Sequence, residues 1–121
     1  MKNLPLILSS CIVIPVALVY GLRPDLLFEV TLDTTDELNV YSAIMGLYLA
    51  FASFWIVGIL QPVYWKPAMI STVCFMFGLA LGRLISLFSD GLPSTIFILG
   101  TIGEIILGVF GCYILLREKE S

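Results

Sequence analysis

A chain of 121 residues with 60% hydrophobic side chains and only 12% charged ones, and with a mean hydropathy of +1.06, carries more apolar surface than a water-soluble fold can hide. Its net charge of −3 offers no basic face to neutralise phosphates, which sets nucleic acid aside as a partner. What remains is one domain's length of chain, 1–121, with a core built helix against helix in lipid.

The first apolar run covers residues 4–22 and is long enough to span a bilayer as helix. Leu8-Ser9-Ser10-Cys11 behind Lys2 imitates a lipoprotein cleavage box. The apolar stretch before Cys11 is too short for a signal peptide and the run continues to Leu22, so the segment reads as a membrane helix. Pro5 falls in its first turn, whereas Pro15 lies mid-helix and frees a carbonyl one turn earlier, which predicts a bend near 11–15.

An acidic outer loop over 23–39 follows. Leu26, Leu27, Phe28 and Val30 suit a membrane surface, and Asp33 or Thr35 is placed to cap the approach to the second helix. Its acids lack the alternating spacing of a calcium loop and read as solvated charge, so no metal site is expected. Three further runs, 40–60, 68–88 and 95–116, are separated by short turns rich in proline and glycine. The expected architecture is all-α, an integral membrane four-helix bundle. No internal repeat supports an inverted-repeat transporter.

Orientation follows from the positive-inside rule. Lys2, Lys66, Arg117 and Lys119 fall on one side, and Arg23 alone falls on the other with Asp25, Glu29, Asp33, Asp36, Glu37 and Asp90. Both termini are therefore expected in the cytoplasm, in a bacterial inner membrane. Tyr64 and Trp65 beside Lys66 suit the headgroup level on that side. Cys11, Cys74 and Cys112 sit in apolar runs without ligand or disulfide spacing and are expected as small buried packing residues.

Two charges lie well inside predicted spans: Arg83 in the third run and Glu104 in the fourth. An unpaired charge at that depth costs upward of about 2.5 kcal/mol, so each needs a partner. An antiparallel hairpin puts both in the outer half, with backbones roughly 6 Å apart in depth, a gap that an extended arginine closes. Small residues recur at helical spacing as Ser42, Gly46, Ala50 and Ser53 in the second run and as Gly78 and Gly82 in the third. In the fourth, Gly100, Glu104, Gly108 and then Gly111 or Cys112 form a similar stripe. Such faces predict close backbone approach inside a compact bundle. Arg83, Ser86 and Asp90 share one face of the third helix, with Tyr41, Ser42 and Tyr48 at similar depth on the second, so a polar cluster open to the outside is expected.

Ala43 to Ala50, then Gly82-Arg83-Leu84-Ile85-Ser86 with Asp90-Gly91-Leu92-Pro93-Ser94, then Glu104 with Gly108, resemble a family of small bacterial four-helix membrane proteins catalogued only as a domain of unknown function. The likeness runs from about Val40 to Leu116. It implies that Arg83, Ser86, Asp90, Pro93 and Glu104 are the family's marked positions, and it implies no known activity. Ser42 stands where such proteins are expected to carry a basic residue.

Glu104 has no nucleophile, metal or histidine for company, so an intramembrane enzyme is not expected, and no cofactor is implied. The leading expectation is a non-enzymatic accessory or self-associating membrane subunit with a protein partner or a second copy of itself. The alternative is a lipid or small anionic-ligand binder or carrier, with Arg83, Glu104, Ser86, Asp90 and Tyr48 lining an outward-facing pocket.

Overall fold

The computed structural model describes residues 2–22, 34–93 and 95–120, apart from the side chains of residues 119 and 120. Four helices, α1 (Leu4–Leu22), α2 (Thr35–Leu60), α3 (Trp65–Asp90) and α4 (Thr95–Glu120), make up nearly all of it, with no strand among the described residues. All four are long and apolar enough to cross a membrane. In hydrocarbon only intrahelical pairing satisfies the backbone of such segments.

The ends of the helices have local causes. α2 begins several residues before its apolar run because Thr34, one residue ahead of Thr35, is its cap. The Glu37 amide donates to Thr34 Oγ1 at 3.1 Å, and Asp36 and Glu37 occupy the first turn, where carboxylates suit the positive end of the helix. Leu26 to Val30, Arg23, Asp25, Glu29 and Asp33 lie outside the described residues. A 3-10 turn over Pro62–Tyr64 links α2 to α3. Proline opens it at no cost, since the first amides of a helical turn lack intrahelical acceptors. α3 ends at Gly91, whose φ of +99° disfavours any residue with a Cβ.

α1 packs along α2 and α3 along α4; α2 and α3 join the two pairs, while α1 meets α4 only sparsely. Near the face that carries the chain ends, Pro5, Leu6, Trp55, Met69, Thr72 and Ile114 are all fully buried. Trp55 Nε1 donates to Ser71 Oγ at 3.0 Å, and the Ser71 and Thr72 hydroxyls donate back to the Ala68 carbonyl at 2.7 and 2.9 Å. Those bonds keep the polar groups of the α2–α3 contact away from lipid. α1 runs unbroken through Pro15, whose ring is exposed on the outside of the bundle.

Several expectations need correction. Cys11 and Cys74 are exposed and Cys112 is half-buried, because a thiol facing acyl chains is under none of the pressure that drives it inward in water. Trp65 is buried against the bundle. Its indole N–H donates to the Lys2 carbonyl at 3.2 Å and its ring takes the Lys2 ammonium at 5.1 Å. The glycine faces divide by how closely a neighbour approaches. A Cβ on Gly108 would lie 2.7 Å from the Phe77 ring, one on Gly111 would lie 2.8 Å from Val73, and one on Gly58 would collide with Ala68. Gly46, Gly78, Gly82, Gly100 and Gly103 have nothing within 4 Å. Only the first group makes the close approach; Gly46, Gly78 and Gly82 look outward, as do Ser42, Ala50 and Ser53.

Candidate functional site

Arg83 sits about two turns before the end of α3, where α4 runs antiparallel beside it. Its Nε donates to both carboxylate oxygens of Glu104, at 3.0 and 3.2 Å. The two charges expected from the sequence to need partners are thus one ion pair, and each offsets part of the other's cost of lying in lipid. The guanidinium then continues inward: Nη2 donates to the Tyr20 hydroxyl of α1 at 3.5 Å, and the cation lies 5.5 Å from the centre of the Phe97 ring. Nη1 has no hydrogen-bond partner among the described residues. Glu104 therefore engages one edge of the guanidinium and leaves much of the donating fork unused, and the Arg83 side chain keeps 24% of its surface accessible.

Arg83 lines a cavity of about 320 Å³ between α1 and α4, the helix pair in sparse contact. Ile12, Val13 and Val16 of α1, Met76 and Leu79 of α3, and Gly100, Gly103 and Leu107 of α4 form its apolar walls. Tyr20, Tyr48, Arg83 and Glu104 form its polar end. The missing side chains of Gly100 and Gly103 leave part of this room.

Tyr48 is 7% exposed and is held by edge contacts to Tyr20 at 5.8 Å and Phe75 at 5.0 Å. These rings fix its direction. Its hydroxyl has no hydrogen-bond partner among the described residues, and it differs from the sealed, unpartnered oxygens Asn3 Oδ1, Ser9 Oγ and Ser10 Oγ. It opens on the cavity instead. An accessible hydroxyl without a protein partner there is free to bond to an occupant.

Ser86 and Asp90 behave differently from the rest of the expected cluster. The Ser86 hydroxyl donates to Asp90 Oδ2 at 2.8 Å on an exposed stretch of α3, and neither lines the cavity. Ser86 instead borders a second cleft between α3 and α4, shared with Pro93, Phe97 and Arg83. Arg83 and Phe97 together partition the two spaces. Ser42, exposed on α2, belongs to neither. Tyr20 is the residue that sequence reasoning missed. Its signal is present in the sequence, as a hydroxyl-bearing ring in the last turn or so of the first run, at the depth where Arg83 needs partners.

No curated protein and no solved structure matches this chain. Residues 1–115, which take in the first apolar run and the 23–39 segment as well as most of the 40–116 stretch that carried the likeness, match the family described as "Domain of unknown function (DUF4345)", and the chain belongs to that family.

Proposed function

We propose that this membrane protein binds a long-chain amphiphile in the groove between α1 and α4, with the polar head at Arg83, and that it acts by binding rather than by turnover. The observation that carries the reading is a half-open apolar cavity ending on a guanidinium whose Nη1 is unengaged among the described residues. Ligand sites are typically apolar with a few convergent polar groups, and they often lie between helices of bundles. The distribution of Lys and Arg supports an inner-membrane setting with both chain ends in the cytoplasm, which would place the polar end of the groove in the outer leaflet.

Native mass spectrometry of the gently extracted protein tests it. A retained lipid-sized mass is expected in the natural chain. It should be lost from the Arg83→Gln/Glu104→Gln double variant, which removes the fork without stranding a charge. A folded natural chain that retains nothing, or a double variant that retains the same mass, overturns the reading.

A second reading, an accessory or self-associating subunit, draws support from the outward faces of α2 and α3. Gly46, Gly78 and Gly82 have open space where a neighbouring helix would fit. Its test is cross-linking in membranes through cysteine placed at Gly46 or Gly82. Specific adducts support it, and their absence at both positions counts against it.

A further inference from the structure

Resting on the amphiphile-binding reading, we infer that the head recognised is a neutral hydrogen-bond acceptor on a single flat ring, of the isoprenoid quinone class, and not a carboxylate or phosphate. The argument is one of charge and donor count. Arg83 meets the ligand already neutralised, since Glu104 lies 3.0 Å from its Nε. What lines the cavity is then a closed ion pair, Arg83 with Glu104, and not a free cation. An anionic head would give up its hydration to reach this depth without a net opposite charge to offset the loss. A carbonyl oxygen gives up far less and takes the same hydrogen bonds.

The groups at the polar end without partners among the described residues are both able to donate: Arg83 Nη1 and the Tyr48 hydroxyl. Arg83 and Tyr48 both line this cavity, and two side chains with a donor to spare call for an acceptor-rich head. Tyr20, Tyr48 and Phe97 surround that space with rings, which suits a flat, polarised head packed against aromatic edges and faces. A volume of about 320 Å³ is at the low end for small-molecule sites. It holds one ring and the start of a chain, and the rest of the tail would leave through the seam between Ile12 and Leu99, both exposed at the rim.

The experiment is calorimetric titration of the full chain in detergent with decylubiquinone, oleate and lysophosphatidylglycerol as probes, repeated on Tyr48→Phe and Glu104→Gln. The natural chain is expected to bind the quinone at least about tenfold more tightly than either anion. Removing one neutral hydrogen bond with Tyr48→Phe should weaken quinone binding by about three- to tenfold with the melting temperature unchanged. Glu104→Gln should reverse the preference, because it turns Arg83 into a bare cation that favours oleate. If that variant does not fold, the probe comparison and Tyr48→Phe decide.

Oleate or the lysophospholipid binding the natural chain as tightly as the quinone overturns the inference about the head while leaving the amphiphile reading intact. A Tyr48→Phe variant with unchanged quinone affinity overturns it as well. Binding of none of the three probes overturns the amphiphile reading and the inference together.

Discussion

Toward the face that carries the chain ends, Trp55, Leu6, Met69 and Ile114 are fully buried, whereas toward the opposite face Leu81, Ile85 and Phe88 of α3 are exposed and a cavity parts α1 from α4. Most of the glycines follow the same division, although Gly21 at the open end is pressed against Met45. Gly58, Gly108 and Gly111 are pressed against Ala68, Phe77 and Val73, while Gly46, Gly82, Gly100 and Gly103 have empty space where a Cβ would go. In lipid, a helix surface gains nothing from hiding apolar groups, so tight packing and satisfied polar groups decide where helices close on one another. One half is closed by packing, and the other is held by the Arg83–Glu104 pair and left open beside it.

The largest expected effect breaks the packed half. Trp55→Ala removes a fully buried ring and its bond to Ser71, and should lower stability by about 3–5 kcal/mol, read as unfolding in mixed detergent micelles. Phe88→Ala is the control from the open half. That ring is 88% exposed, and its loss should change stability by less than about 0.5 kcal/mol. Equal losses at the two positions would show that burial depth does not separate the halves.

Next in size is the ion pair. Arg83→Ala leaves Glu104 in an apolar setting, and an uncompensated buried charge costs about 3–5 kcal/mol. The Arg83→Ala/Glu104→Ala double variant should recover much of that loss, since it strands no charge. The same unfolding assay gives the coupling directly. If the two single losses simply add in the double variant, the pair is not what holds the open half together.

How far the sequence foretells this division depends on the kind of signal. Arg83 and Glu104 are legible because a charge inside an apolar run has few ways to exist, and a short turn puts the two on neighbouring antiparallel helices. The spans are legible for the same reason, as length and hydropathy alone mark them. Which way the small-residue faces turn is not legible. Helical spacing says that Ser42, Gly46, Ala50 and Ser53 share a face, but in a chain whose inside and outside are equally apolar it does not say whether that face meets protein or lipid. The cysteines are misplaced by carrying a rule for water into hydrocarbon. Tyr20 escapes notice because a tyrosine near a helix end is ordinary at a membrane surface, and only the third dimension shows it reaching Arg83.

The smallest effect on stability is expected from the same substitution made once in each half. Gly58→Ala drives a Cβ against Ala68, with the Tyr64 carbonyl 3.3 Å away; neither neighbour has a flexible end to move aside, so overpacking should cost about 1–3 kcal/mol. Gly100→Ala meets nothing within 4 Å, and replacing glycine inside a helix should raise stability by about 0.5–1 kcal/mol. Yet Gly100 lines the cavity, so the added methyl narrows the place where an amphiphile would lie, and retention of the bound mass should fall as stability rises. A site and a packing defect part company at this position. Filling a mere void improves the fold and disturbs nothing else, whereas filling a binding groove improves the fold and displaces its occupant. A Gly100→Ala protein that is more stable and still keeps its full complement of ligand would show that the opening between α1 and α4 is not where that ligand binds.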